Sequence, residues 1–380
     1  MPTTLTNAEL ILENETVKGT VVFDETGILA VDSGNTQVAG AIDCQGDYVA
    51  PGLIEMHTDN MEKHFMPRPM VFWPNGVAAA LAHDAQMAAS GITTVYDAIC
   101  AGTVSEDKGY RRQIFGQIID AVNEGTEQGL FRIDHKIHIR CELTGHGVAD
   151  EVAPYRDHPL VQLISLMDHT PGQRQWRELK HLKIYATGTG DKSVTEHDRD
   201  VALRMEEGPA NVEKNWPLVL EMFRDRGIPI ATHDDTTPQH VEMAVASGAA
   251  ISEFPTTEEA AIAAHASNLK TIMGGPNIVR GGSHSGGVAA ASLAEKGLLD
   301  GISSDYVPAS LLQAVRILRD KHSISLPEAM AKVTWRIADM VGLKDRGRLK
   351  SGLRADLIRF RFAGETPVVR ELWSNGARAF

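Results

Sequence analysis

Residues Gly52–Pro69 read GLIEMHTDNMEKHFMPRP, and the first half of this stretch decides the architecture. Gly52 to Met56 is a short apolar run with strand character that delivers His57 and Asp59 at its C-terminal end. Residues two apart in a strand share a face, so the imidazole and carboxylate of HTD can converge on one ion. An isolated HxD triplet is more often a satisfied polar pair than a ligand set, so its meaning depends on the runs that follow.

From Pro51 onward, short apolar runs alternate with longer helical patterns: GLIEMH, GITTVYDA, KIHIRCEL, LVQLISLMDH, GIPIATHDD, AAISEFP, LKTIMGG and LDGISSDY. Between them lie Ala-rich segments such as Val77 to Ser90, Pro238 to Ser247 and Thr257 to Ser267. A strand-then-helix unit repeated in this way predicts a (β/α)8 TIM-type barrel over 51–342. An open doubly wound sheet is the competitor, but no GxGxxG opens the first unit. Residues 1–50 and 343–380 instead alternate β-like segments with Gly and Asn turns, and together they predict one small β-sandwich domain. The polar stretch 179–212, with GTGDKSV inside it, predicts a helical insertion near the barrel mouth.

Composition narrows the function class. With 43% hydrophobic and 23% charged residues among 380, the chain has the balance of a soluble globular protein. Met1 to Lys18 lacks the basic start and apolar centre of a signal peptide, and no run reaches the length of a membrane span, so a cytoplasmic placement with no membrane partner is expected. Cys44, Cys100 and Cys141 are scattered and odd in number, which predicts neither a disulfide framework nor a thiolate zinc knuckle. A formal charge of -13 argues against a nucleic-acid partner. It leaves room for a small anionic substrate, because bound divalent metals outweigh local protein charge. Association with further copies of the chain is left open.

In barrels of this kind the working groups come from the C-terminal ends of the strands. Read in order, those ends carry His57 and Asp59, Asp97, Glu142, Asp168 and His169, His233 with Asp234 and Asp235, Glu253, Gly274 to Asn277, and Asp305. Any one of these can simply cap the next helix or pair with a neighbour, and Asp97 and Asp234 are read that way. The joint pattern is what points to a metal site.

On these residues the chain resembles the amidohydrolase superfamily along its whole length. The carriers are VAPGLIEMH leading into HxD on the first strand, a histidine on a middle strand, Asp on the eighth, and a closing GRLKSGLRADLI. More narrowly, HTDNMEKHFMPRP, SLMDHTPGQRQ, EFPTT, GGPNIVRGGSHSG and SSDYVPASLL resemble a diphosphatase family of the carbon-phosphorus lyase pathway. That resemblance implies metal-dependent hydrolysis of a ribose 1-phosphonate 5-triphosphate to the 5-phosphate and pyrophosphate, and so a small phosphorylated substrate.

The resemblance also implies the site. His57, Asp59, Glu142, His169 and His233 are the expected ligands of divalent metal ions, two in number, and the mixed donor set suits Zn, Mn or Fe. Asp305 is expected to accept the proton of the attacking water. The superfamily's bridging lysine has no counterpart at the end of LISLMDH, so Glu142 is the substitute bridge, and Glu253 stands where many relatives place a histidine. Arg280 and His284 in RGGSHSGG, with Arg68 and Arg174, are the expected phosphate contacts. Two other functions fit the same fold: hydrolysis of a cyclic amide or deamination of a base, and a metal-free structural role in a complex.

Overall fold

The computed structural model describes residues 2–102, 109–188, 194–283 and 285–380. Eight parallel strands run in chain order around the larger unit: β1 Leu53–Thr58, β2 Ile92–Ala101, β3 Asp134–Glu142, β4 Val161–Met167, β5 Ile230–His233, β6 Ile251–Glu253, β7 Lys270–Gly274 and β8 Gly301–Ser303. Every residue of β1 and β2 is buried, as expected for parallel strands covered by helices on one side and by the barrel interior on the other. This two-sided burial is why the strands read as unbroken apolar runs. The ring is closed by a parallel bridge between Thr58 and Asp305. There the Asp305 N–H donates to the carbonyl of His57 at 3.2 Å and the Asp59 N–H donates to the carbonyl of Asp305 at 3.3 Å. Three residues singled out by the sequence therefore sit on the closing seam.

The interior is filled by Ile54, Met56, Tyr96, Leu163, Ala231, Ile251 and Ile272, packed with Ile337 and Ala338 of the helix Trp335–Met340. This apolar plug leaves the C-terminal ends of the strands as the place for polar groups. Outside the ring, helices Gly76–Ala89 and Gly109–Glu127 cover β2 and β3 through Ala79, Ala80, Ile114, Ile118, Ile119 and Val122.

Both chain ends build a second, largely antiparallel eight-stranded sheet. Leu357–Ala363 pairs with Tyr48–Pro51, which joins the two ends of the chain directly. Leu5, Leu10, Val21, Phe23, Ile28, Leu357 and Trp373 form its core, with Phe23 and Trp373 edge to face at 5.5 Å. The barrel with a small β domain from both termini is thus the fold that the strand pattern predicts. Arg346 fastens the two units, reaching Asp134 Oδ2 at 2.6 Å and Thr94 Oγ1 at 2.9 Å.

Over the mouth lie helices Leu179–Gly188 and Val194–Phe223. The second runs past residue 212, because Val219 and Phe223 are buried in the outer layer of the barrel. Its middle reaches the loops after β3 and β4: Asn215 donates to the carbonyls of Leu143 and Gly145, and Arg204 donates to that of His169 at 2.7 Å.

Candidate metal centre

Alternation along β3 turns His138, Arg140 and Glu142 toward the interior, while His135, Ile137 and Ile139 face the helices. The contacts agree: His138 Nδ1 meets the carbonyl of Met56 on β1 at 3.0 Å, and His135 meets Asp97 at 2.7 Å. Glu253 at the tip of β6 lies at the floor of the site, fully buried. Its Oε1 is 3.1 Å from His57 Nδ1, and its Oε2 is 3.3 Å from His233 Nδ1 and accepts the Ser165 hydroxyl at 2.5 Å. Burial opposes ionisation of Glu253, but the surrounding imidazoles His57 and His138 outweigh it and hold the carboxyl well below its usual range. An ionised Glu253 fixes the Nδ1–H tautomer of both His57 and His233, so each keeps its Nε2 lone pair for a cation.

A second set stands beside the first. Asp234 Oδ2 lies 3.3 Å from His169 Nε2 and 3.5 Å from His233 Nε2. Glu142 closes on His169 Nδ1 and also accepts the Thr144 hydroxyl at 2.5 Å. Burial raises the cost of charge on Glu142, yet His169 prevails and holds the carboxyl at about 2. Reciprocally, burial pulls His169 down while Glu142 and Asp234 lift it to about 9. At the seam, Asp59 Oδ2 is 3.7 Å from Arg140 Nη1. Burial and the nearby Asp59 push Asp305 up to about 8.

Backbone geometry marks the same place. Asp234, Phe254 and Asp305, just beyond the ends of β5, β6 and β8, have φ of 57°, 55° and 53°. Side chains rarely adopt this left-handed region, and such strain gathers at functional sites. Phe254 stands edge-on to His57 at 4.9 Å and to His233 at 5.1 Å, walling the imidazoles on one side.

The residues present fit a divalent cation. Among the described residues, Asp59 Oδ1 is a buried oxygen without a hydrogen-bond partner, and Asp234 Oδ2 meets only the imidazole nitrogens of His169 and His233. A buried carboxylate oxygen left without a partner is costly, and a cation removes the cost. The ligand atoms of His57, His233 and Glu253 lie within 4.8 Å of one another, as do those of His169, His233 and Asp234.

Other expected residues have different positions. Arg174 is 3% exposed, donates to the carbonyl of His233 at 3.0 Å and pairs with Asp235 at 2.8 Å, so its guanidinium supports the tip of β5. Arg68 and Arg280 are exposed, in the loop after Asn60–Phe65 and at the end of Gly275–Arg280, and neither is hydrogen-bonded or ion-paired to the cluster among the described residues. His284 lies outside the described residues. Asp168 serves its own turn, accepting from Thr170 and from Gln173 at 2.7 Å. Asp97 neither ends a strand nor caps a helix, since β2 continues to Ala101. It faces outward, between His83 Nε2 at 2.8 Å and His135 Nδ1 at 2.7 Å, in a buried network that continues through Asn60 and Asp84. The ligand atoms of His83, Asp97 and His135 also lie within 4.8 Å of one another, but this group sits behind the barrel wall, facing the helices rather than the strand tips.

No protein-family model matches the chain. A curated relative does: α-D-ribose 1-methylphosphonate 5-triphosphate diphosphatase of Escherichia coli (strain K12) is 40% identical over 382 residues, covering 99% of this chain and 100% of that protein. The chain belongs to this diphosphatase family. Among solved structures, 5-methylcytosine deaminase from Klebsiella pneumoniae matches with a TM-score of 0.67 at 14% identity, over 99% of this chain and 97% of that one. A protein described as an amidohydrolase matches with a TM-score of 0.64 at 16% identity, over 100% and 98%. These structures share the amidohydrolase fold, and at such identities they speak for the fold alone.

Some participants are not evident from the strand tips alone. The sequence leaves the part of Glu253 open and reads Asp234 as a helix cap or a partner of a neighbour; in the structure both contact the imidazoles. His138, Arg140 and Ser165 lie inside their strands, where a reading of the tips passes over them. Counting back by twos from Glu142 finds His138 and Arg140.

Proposed function

We propose that the protein hydrolyses α-D-ribose 1-methylphosphonate 5-triphosphate to the 5-phosphate and pyrophosphate, in phosphonate catabolism. The observation that carries this reading is the convergence of His57, His169, His233 and Asp234 at one barrel mouth, in a full-length relative of a diphosphatase. In this reading His57, Asp59, His169 and His233 hold divalent cations, two in number, with Asp234 as a further ligand. Glu142 and Glu253 orient the imidazoles through their Nδ1 atoms, Glu142 that of His169 and Glu253 those of His57 and His233. When bound, such ions polarise a phosphoryl oxygen and bring the pKa of water from near 16 to roughly 7.

The remaining chemistry belongs to the chain. Asp305, on the closing seam, accepts the proton of the attacking water. Burial and Asp59 raise its pKa to about 8, and positive charge at the site lowers it again, so it works as a base near neutral pH. Asp305 has a left-handed backbone, with φ of 53°, just beyond β8. Pyrophosphate leaves toward the loop after β7, where Arg280 and the neighbouring glycines stand; Arg68 is the other exposed cation expected at the rim. Arg174 holds His233 in place.

Hydrolysis in ¹⁸O-labelled water tests this. Attack at the α-phosphorus places the label in the sugar 5-phosphate. Label in pyrophosphate alone, or no turnover of the ribose triphosphate by metal-loaded protein, refutes the reading.

A further inference from the structure

We propose that Arg140 is the substrate's phosphate-binding cation, receiving a non-bridging oxygen of the polyphosphate beside the metal centre, with Arg111 serving the adjoining phosphoryl group. This rests on the function proposed above and names a part of the site that the strand tips do not contain.

Arg140 is the third residue from the end of β3 and faces inward by the same alternation that turns His138 and Glu142 inward. Its side chain is only 12% exposed. Among the described residues its one ion-pair contact is Asp59 Oδ2 at 3.7 Å, beyond hydrogen-bond reach, and its Nε is buried with no hydrogen-bond partner. A guanidinium carries five donors and stays charged, so leaving it buried and underbonded is costly unless a ligand completes it.

Its surroundings say which ligand. Arg140 acts electrostatically on His57, His138, Cys100 and Asp305, so its charge is felt by the groups of the mouth. Asp59, its nearest anion, is also an expected metal ligand with one orphaned oxygen. A carboxylate that turns to a cation gives up its arginine. The guanidinium is then a planar fork without an ion-pair partner among the described residues, matched in shape to two phosphoryl oxygens. The rest of the mouth is acidic, with Asp59, Glu62, Glu142, Asp234, Glu253 and Asp305, so a triphosphate needs fixed positive charge here in addition to metal. Arg111 supplies a second unit from helix Gly109–Glu127, its Nε 3.1 Å from Glu62 Oε2. Both arginines act on Cys100 and on each other, and Glu62, the partner of Arg111, also acts on Arg140. Arg140 thereby takes the phosphate role that Arg174, committed to His233 and Asp235, does not fill.

The test uses metal-loaded protein and two variants, Arg140→Gln and Arg140→Lys. Three quantities are read: turnover of the ribose triphosphate, affinity for inorganic tripolyphosphate by calorimetry, and metal per chain by elemental analysis. We expect R140Q to lose about a hundredfold to a thousandfold in kcat/KM, the range for removing one preorganised donor to developing charge. It should also bind tripolyphosphate at least about tenfold more weakly, with metal content unchanged; R140K keeps the charge, loses the fork and falls between. Should R140Q not fold, R140K decides alone, with wild-type-like turnover and tripolyphosphate affinity overturning the proposal. Tripolyphosphate binding by R140Q as tight as in the wild type overturns it, as does failure of the wild type to bind tripolyphosphate. Loss of metal together with activity also overturns it, because Arg140 then only positions Asp59. If the wild type binds tripolyphosphate through Arg140 but does not turn over the ribose triphosphate, the phosphate subsite stands and the substrate assignment falls.

Discussion

Replacing Asp97 by asparagine tests the network behind the barrel wall and has a magnitude that the structure sets. Asp97 is fully buried and meets His83 Nε2 at 2.8 Å and His135 Nδ1 at 2.7 Å. Burial alone would pull His135 down, but Asp97 and Asp84 lift it to about 9 from an ordinary 6.5. At about 1.36 kcal/mol for each tenfold change in proton affinity, that lift corresponds to about 3 kcal/mol of stability. In D97N the charged His135 would face a neutral amide, whose N–H₂ group can meet an imidazole N–H. Removing one partner of a buried ion pair costs about 3–5 kcal/mol, so the two routes agree. The sign in pH follows from linkage. A group whose pKa is raised on folding contributes fully below its unfolded value, so the His135 contribution is complete below about 6.5 and is lost as pH rises through about 9. Urea midpoints at constant m-value, taken at closely spaced pH values across that window, should fall in the wild type. The fall should shrink in Asp97→Asn, where Asp84 still stands 3.5 Å from His135 Nε2, and be absent in His135→Gln. A D97N cost below about 1 kcal/mol, or a wild-type midpoint that stays flat across the window, would refute the reasoning.

Glu253→Gln keeps the volume but cannot hold both His57 and His233 in the Nδ1–H form, so metal affinity measured by chelator competition should fall about 10- to 100-fold. Gly102→Ala places a Cβ 2.5 Å from the carbonyl oxygen of Glu142 at a φ of 83°, and should cost about 1–3 kcal/mol in urea unfolding. Trp373→Ala empties the centre of the terminal sheet and should cost about 3–5 kcal/mol in the same assay, with metal content unchanged.

The fold is legible in the sequence because parallel barrel strands are buried on both faces. GITTVYDA reads as a strand for that reason, and the segments before Val49 read as β-like. The ends of elements are less legible. Asp97 looks terminal because polar residues usually close apolar runs, yet its charge is absorbed by His83 and His135, and the strand continues to Ala101. Of the site, the polar tips of β1, β3, β5 and β8 can be read directly. Arg140 cannot, since an arginine inside an apolar strand resembles an outward-facing charge until the parity of His138 and Glu142 is counted. Asp234 adjoins His233, where a strand's alternation would turn it away. Only the left-handed turn at its backbone brings its carboxylate back beside His233 and His169, and a linear sequence carries no sign of that.

Diffraction from crystals of active protein, collected on both sides of the bound metal's absorption edge, tests the central claim most directly. The account predicts anomalous peaks at the barrel mouth, roughly 2.0–2.2 Å from nitrogens of His57, His169 or His233 and from Asp59 or Asp234 oxygens. A mouth without any such peak, or a peak seated instead between His83, Asp97 and His135, would contradict it.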